Sequence, residues 1–390
     1  MTLKCPTQIY KRNRMRYVIN SYNTMSAGTS NMTRSILSHF PKQERAIIYF
    51  ILPKVKAFCD TNWFVGREDI LPVYICRFNG LFNMIFRIVF DFLIFPLICL
   101  FIRPKSVLVM GNYSPVPLPA KKIVLLRHPF LVDDKLCKNS NILTRIVERI
   151  RRVIFRLTLK STNILIVQSS YIKRKVLEVY HPKNIRIEVL SNPKSDLIDY
   201  NIKKEDASGD PCRIILYISR YYPHKNHSFL VELANRYSEE FRRLGIKFYI
   251  TVDPDLCRGA ARLLERIKEL KIDDIMINIR EVSQKDLTGY YQKACAIFFP
   301  STSETFGNPL VEAMGFGLPI VVPDLGYARA VCEDSAVYYL ENDLDDAFKK
   351  LQSILQDGKL RGEYSKRSLD QFNKFPTTEQ WISSIFEFMG

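Results

Sequence analysis

Several things are missing from this sequence, and each absence narrows what the chain can be. No collagen-like, Gly/Ser-rich or prion-like stretch interrupts its 390 residues, so fibrous and low-complexity classes are excluded. Its nine cysteines are scattered and never paired as Cys-x-x-Cys, which argues against a zinc ribbon or a disulfide framework and fits thiols in a reducing compartment. Histidine is scarce, at five residues. His224 and His227 have helix-compatible spacing but no third ligand in view, so no metal site is expected. No Gly-x-Gly-x-x-Gly follows the first strand, which argues against a nicotinamide enzyme. The amino-terminal stretch MTLKCPTQIYKRNRMRYVIN is basic but has no continuous apolar run, so a secretory signal is not expected there. A cytoplasmic location follows, and the Asn-x-Ser/Thr triplets at Asn31, Asn112 and Asn226 are then chance matches.

Acidic residues are also in short supply, 40 against 57 Lys and Arg, giving a net charge of +17. Part of the excess is concentrated between Arg145 and Arg186, where eleven Lys/Arg meet only Glu148 and Glu178. Nucleic acid, an anionic membrane surface or a phosphorylated substrate could exploit such a field, and so could plain solvent. Neither a nucleic-acid-binding module nor aromatics interleaved on a basic face accompanies the charge, so no nucleic-acid partner is expected.

With 47% hydrophobic and 25% charged residues, the chain can bury two ordinary cores. A strand is expected at Arg16–Asn20, then a glycine-containing turn near Gly28 and a helix over Asn31–His39, followed by apolar strands at Ala46–Leu52, Ser106–Met110, Lys122–Arg127 and Ile164–Gln168 with helices such as Thr144–Leu159 between them. The polar segment Asn201–Pro211, NIKKEDASGDP, breaks the pattern and reads as a linker. A second alternation follows, with strands at Arg213–Ser219, Lys247–Val252, Met276–Ile279, Ala296–Pro300 and Pro319–Pro323 and helices at Ser228–Leu244, Cys257–Leu270 and Ser283–Ala294. Strand–helix alternation of this kind predicts parallel, doubly wound α/β domains.

The run Leu81–Ile102, LFNMIFRIVFDFLIFPLICLFI, is long enough to cross a bilayer, yet Arg87, Asp91 and Pro96 lie within it. A charge at the centre of a span costs about 2.5–3.5 kcal/mol, which disfavours crossing. A buried or cleft-side helix and a segment lying on a membrane surface are the other two readings.

The most specific signal is PSTSETFGNPLVEAMGFGLPIVVP at 300–323. A strand ends in Pro300-Ser301, a turn carries Glu304 and Gly307, a helix carries Glu312, and Gly317 and Pro319 lead into the next strand. Glycine in a strand-to-helix turn lets backbone N–H groups approach a ligand, and a helix N-terminus favours negative charge. The second signal, LYISRYYPHKN at 216–226, places Arg220 and Lys225 five residues apart just after a strand. Asp253-Pro254-Asp255 reads literally as an Asp-x-Asp metal motif, but it follows a strand of the second α/β unit.

Glu304 and Glu312 with the intervening Phe306, Gly307, Asn308, Pro309 and Leu310 resemble the donor-binding signature of glycosyltransferase family 4. Arg220 and Lys225 resemble that family's Gly-Arg-x4-Lys motif, with Ser219 in the place of the glycine. The resemblance implies the GT-B fold: two Rossmann-like doubly wound parallel-sheet domains facing a central cleft. Residues 1–200 would form the acceptor-side domain and 201–369 the donor-binding domain, with the helix in 370–390 packing back on the first. It implies a retaining, metal-independent transfer of a sugar from a nucleotide-diphosphate donor, which is a co-substrate and not a cofactor. The acceptor would be a saccharide, lipid-linked in cell-surface polysaccharide synthesis, with the protein held peripherally on the inner face of the plasma membrane. Arg220 and Lys225 would hold the diphosphate, Glu312 the ribose hydroxyls and Glu304 the transferred sugar. In the more divergent amino-terminal half, Gly28 resembles the family's glycine loop and His128 its histidine facing the sugar. The family's usual glutamate near the second strand is replaced by Ala330, beside Arg329. A catalytically silent partner subunit would be expected to have lost Arg220, Lys225, Glu304 or Glu312, and all four are present.

Overall fold

A computed structural model describes residues 14–23, 27–43, 45–59, 64, 66–78, 80–133, 142–201 and 213–390. The chain divides into two units, Met1–Ser191 with Thr378–Gly390, and Asn192–Thr377. The boundary thus falls at Asn192, ahead of the polar run at 201–211, and the return to the first unit falls at Thr378, so the Gly358–Asn373 helix stays with the second unit. Most of the polar run itself lies outside the described residues.

In the first unit seven strands, β1 (Met15–Asn20), β2 (Ala46–Pro53), β3 (Ile70–Ile75), β4 (Ser106–Val109), β5 (Lys121–Leu125), β6 (Ile164–Val167) and β7 (Arg186–Val189), pair in the order β3-β2-β1-β4-β5-β6-β7. Every pairing is parallel. Runs such as AIIYFILP in β2 and ILIV in β6 are apolar at nearly every position because a parallel sheet is covered on both faces. Alternate residues divide between two cores. Tyr17, Ile19, Ile48, Phe50, Leu108 and Ile123 face one side with Ile36 and Leu37 of the Ala27–His39 helix. Val18, Ile51, Val107, Val109, Val124 and Val167 face the other with Phe90, Phe95, Phe155 and Leu159. The closing helix Thr378–Met389 belongs to the first of these layers: Trp381, Ile382, Ile385 and Met389 are buried there, and the Ser106 hydroxyl donates to the Met389 carbonyl at 2.8 Å.

Helix occupies the whole of 80–102, as Gly80–Val89, a π turn at Phe90–Ile94, and Phe95–Ile102. Pro96 explains the interruption, since it has no N–H to return to the preceding turn and its ring would strike that turn's carbonyl, so a wider turn accommodates it. The run is buried on one face only. Gly28 is in the first turn of the Ala27–His39 helix, not in the turn expected before a helix starting at Asn31.

The second unit has a six-stranded parallel sheet, β8 (Ile214–Tyr217), β9 (Lys247–Ile250), β10 (Met276–Asn278), β11 (Ala296–Phe298), β12 (Ile320–Pro323) and β13 (Ala336–Tyr339), in the order β10-β9-β8-β11-β12-β13. The expected helix Ser228–Leu244 is two, His227–Arg236 and Ser238–Leu244. Tyr237 leaves helical geometry between them, stacks on Phe348 with ring centroids 3.8 Å apart and donates its hydroxyl to Asp345. Among the described cysteines, Cys99 and Cys332 are buried thiols, Cys59, Cys76 and Cys257 are exposed thiols, and Cys295 is disulfide-bonded, so thiols throughout is not the pattern.

Because the last helix completes a core built from Tyr17 to Ile166, far earlier in the chain, its loss should be felt in the first unit. Trp381→Ala is expected to destabilise that unit by about 3–5 kcal/mol. Denaturant unfolding followed by a probe in the first sheet checks this, and an unchanged transition would show that the helix merely rests on the surface.

Candidate functional site

In the second unit the order of strands reverses direction between β8 and β11, since β9 and β10 continue outward from one and β12 and β13 from the other. In open parallel sheets ligands bind beyond the carboxyl ends of the strands at such a switch point, where the loops diverge and leave a crevice. Both sequence signals emerge there: Arg220 and Lys225 follow β8, and the segment 299–312 follows β11.

These two loops are tied together. The His224 carbonyl accepts from the Thr302 backbone N–H at 2.8 Å and from the Ser301 and Thr302 hydroxyls, each at 3.1 Å. The Tyr217 hydroxyl donates to the Lys225 carbonyl. Lys225 is consequently fixed, with its ammonium paired to the Glu304 carboxylate and lying 5.7 Å from the centre of the Phe299 ring. Both charges are mostly buried, Lys225 with 16% and Glu304 with 10% of the side chain exposed, so each depends on the other. Arg220, more open, pairs with Glu281.

Beyond Glu304 the backbone turns at Gly307, where φ is 91°. A side chain there would be strained in this left-handed region, and its Cβ would lie 3.0 Å from Leu310. The helix Asn308–Gly315 starts at once, with Pro309 in its first turn, where no N–H is required. Phe306 and Leu310 are buried and set the turn, Phe306 meeting the edge of the Phe375 ring at 5.6 Å. The Asn308 side chain accepts a hydrogen bond from Asn192 at 2.8 Å. One turn on, Glu312 is buried, accepting from the Tyr291 hydroxyl at 2.8 Å and from Gln284 at 3.5 Å. Burial pushes its carboxyl up to about 7, with the Tyr291 hydrogen bond acting in the other direction.

Lys225, Glu304, Phe306, Gly307, Asn308, Pro309, Leu310 and Glu312 therefore form one constellation, with Arg220 at its open side. Asp253 and Asp255 stand apart after β9, where Asp255 pairs with exposed Arg280 at 3.6 Å, and buried His227 meets the rings of Tyr217 and Tyr221 at a tilt, its imidazole pushed down to about 4 by burial. No cluster of three or more His, Cys, Asp or Glu suited to a metal occurs among the described residues. Arg329 pairs with Asp324 and covers the Tyr338 ring at 3.6 Å.

Gly28 and His128 belong to the first unit. The turn after β5 that carries His128 is held by the Asn112 side-chain oxygen, which accepts from the backbone N–H groups of Arg127 at 2.6 Å and His128 at 3.1 Å. The imidazole Nε2 lies 3.1 Å from buried Glu148, whose other oxygen pairs with Arg151. Burial raises the Glu148 carboxyl, but His128 and Arg151 together hold it below the ordinary glutamate range.

The sequence reading did not find Glu148, Tyr291, Gln284, Glu281 or Asn192. Glu148 had a signal, as one of two acids in a long basic run. The others reach the site from elements remote in sequence, and nothing in their local pattern marks them.

Two all-parallel α/β units of seven and six strands, with the signature residues at the second unit's switch point, define the GT-B class of fold. Solved structures agree over the whole chain. A glycosyltransferase from Rickettsia africae superposes with a TM-score of 0.70 at 16% identity, covering 97% of this chain and 98% of that one. Anabaena HepE, solved with UDP and glucose, gives 0.69 at 12% identity, covering 96% and 99%. Residues 200–371, most of the second unit, match the family Glycosyl transferases group 1. The O-antigen chain mannosyltransferase RfbU of Salmonella typhimurium is 27% identical over 195 residues, 49% of this chain and 51% of its own length. The chain spans about half or less of the length of this and other curated relatives that it matches.

The state of Glu312 gives a test by pH. Its folded carboxyl titrates near 7, whereas the unfolded one titrates at the ordinary value of 4.5, so the folded state holds the extra proton between them and stability falls as pH rises through that window. Glu312→Gln should therefore gain stability relative to the parent chain at pH about 8 and lose that advantage at pH about 5. Thermal melting at the two values checks this, and a difference independent of pH would place the carboxylate in a solvated or fully compensated setting.

Proposed function

We propose that the chain transfers a sugar, with retention, from a nucleotide-diphosphate donor to a saccharide acceptor, lipid-linked in cell-surface polysaccharide synthesis. It would work from the cytoplasmic side, on the inner face of the plasma membrane. The observation that carries the reading is the arrangement of Lys225, Arg220 and the Gly307 turn around the switch point, because it offers two fixed cations and a helix N-terminus to one anionic ligand. The family match of the second unit and the RfbU likeness support sugar transfer, and the UDP in the Anabaena structure supports a nucleotide donor.

In this reading the diphosphate takes over cations that carboxylates now hold. Lys225 exchanges Glu304, and Arg220 exchanges Glu281, for phosphate oxygens, and the released Glu304 meets hydroxyls of the sugar. Glu312 accepts the ribose hydroxyls. During transfer the bond from the anomeric carbon to the phosphate oxygen breaks, and the acceptor oxygen bonds to that carbon on the same face. The acceptor proton passes to the departing phosphate. Charge develops on the leaving group, so cations fixed beside it lower the barrier without reorganising. Asn112 and Glu148 hold the His128 turn and ring for a sugar hydroxyl. No metal is needed to neutralise the diphosphate in this scheme.

Hydrolysis and transfer from a panel of nucleotide sugars, with and without membrane extract as acceptor source, tests the proposal. Arg220→Ala is the informative variant because Arg220 is half-exposed and its loss leaves no buried charge behind, whereas Lys225→Ala strands Glu304 and must be paired with Glu304→Gln. Turnover should fall by about 10²–10³ in Arg220→Ala with melting unchanged, and chelator should leave the rate as it was. Wild-type turnover in Arg220→Ala, or activity lost in chelator and restored by Mg²⁺, would overturn the scheme.

A further inference from the structure

Two helices of the first unit leave large apolar side chains in water along their outer faces. On Gly80–Ile102 these are Phe82, Ile85, Val89, Leu93, Leu97 and Phe101 in one winding stripe, joined by Leu100, with Phe82 70% and Phe101 89% exposed. On Ile142–Lys160 they are Ile142, Ile146, Ile150, Val153 and Leu157, with Ile142 75% exposed. A patch of this size has no place on a protein surrounded only by water. The two helices share a layer, since Phe90, Phe95, Cys99 and Ile102 of the first and Phe155 and Leu159 of the second are buried in one core against the same face of the sheet. Arg87 of the first helix lies 5.4 Å from the ring of Tyr113, which is buried in that same core.

The chemistry around the stripes identifies what covers them. Exposed Arg77 precedes the first helix, and exposed Arg103 and Lys105 follow it, so a bare apolar face is bracketed by positive charge. On the second helix exposed Arg149, Arg156 and Lys160 run beside the apolar stripe at helical spacing. Apolar side chains flanked by Lys and Arg on an outward helix face match an anionic headgroup layer over acyl chains. A protein partner would need an equally long apolar groove edged by acids.

Crossing the bilayer is a different matter. Ile85–Ile102 has the length and apolar character for a span, with a mean hydropathy of 2.5, but a third of it is buried in the unit. Withdrawing it would strip Phe90, Phe95, Cys99 and Ile102 from the core and carry Asp91, buried within the π turn, into hydrocarbon.

We propose that the outer faces of Gly80–Ile102 and Ile142–Lys160 form a docking surface that lies in the plane of an anionic lipid bilayer, with the apolar stripes in the acyl boundary and the arginines at headgroup level. The inference rests on the reading that the acceptor is carried on lipid, and it gives that reading a physical address on the first unit.

Cosedimentation of the full chain with phosphatidylglycerol-containing vesicles and with pure phosphatidylcholine vesicles tests it, with no donor or acceptor present. Binding should be strong only on the anionic vesicles and should weaken at high salt. Phe101→Glu and Leu97→Glu, both on the exposed face, should each reduce binding by about tenfold or more, the scale of one large apolar side chain kept from lipid. Arg149→Glu with Arg156→Glu should lower binding mainly at low salt. A Leu97→Trp variant should shift its emission to the blue on vesicles, which separates contact with lipid from a structural effect. Hydrolysis of nucleotide sugar without vesicles, measured on the same variants, should stay at the parent level, so loss of docking and failure of the transfer reading are told apart. Absence of binding to anionic vesicles overturns the proposal. So does parent-level binding by the glutamate variants, and so does a dimer of the parent chain that these variants dissolve without any vesicle binding.

Discussion

The pairing of Lys225 with Glu304 is the interaction on which the second unit's site depends. A lysine and a glutamate, each mostly buried, cannot be left alone there, and the cost of an uncompensated charge in such a place is several kcal/mol. The pair therefore fixes the loop after β8 to the turn after β11, with the His224 carbonyl as a second tie. Everything that follows in that turn, from Gly307 to the start of the Asn308–Gly315 helix, is positioned from this anchor. Under the proposed function the same pair would make the site responsive to a ligand, because an anion that held Lys225 would replace one partner with another and free a carboxylate for hydroxyl groups.

The topology makes this economical. Strand order reverses between β8 and β11, so their loops separate, and the site needs no insertion or extra domain to open a crevice. The first unit repeats the arrangement, its reversal falling between β1 and β4, with His128 on the next loop out, after β5, and its ring oriented by Glu148. The first unit differs in what its helices do. One layer is completed by the chain's last helix, while the other leaves two helices with a wet apolar face, and the two properties divide core formation from surface recognition.

Much of this was legible in the sequence, for identifiable reasons. Central strands such as Ala46–Pro53 and Ile320–Pro323 announce themselves because burial on both faces makes them apolar throughout. The 300–323 signature was legible because a tight turn, a helix start and two carboxylates are all encoded within a few residues. Three edge strands were not: β3, with Leu71 and Tyr74 exposed, and β7, with two of its four residues exposed, carry weak patterns, and β13 at one edge of the second sheet was missed, whereas β10 at that sheet's other edge was expected. Gly28 could not be placed from its residue type, since glycine suits a turn and is tolerated in a first helical turn alike. The partners of Glu312 and His128 were invisible because Tyr291 and Glu148 meet them only after folding. Leu81–Ile102 was ambiguous for a physical reason: a helix with one face in a core and large apolar side chains on the other has the composition of a span.

The measurement that bears most directly on the central claim is a structure determined with a nucleoside diphosphate bound. The account predicts phosphate oxygens in contact with the Lys225 ammonium and the Arg220 guanidinium, the Glu304 and Glu281 carboxylates released from them, and the ribose hydroxyls at Glu312. A diphosphate seated elsewhere, with both carboxylate pairs intact, would contradict it.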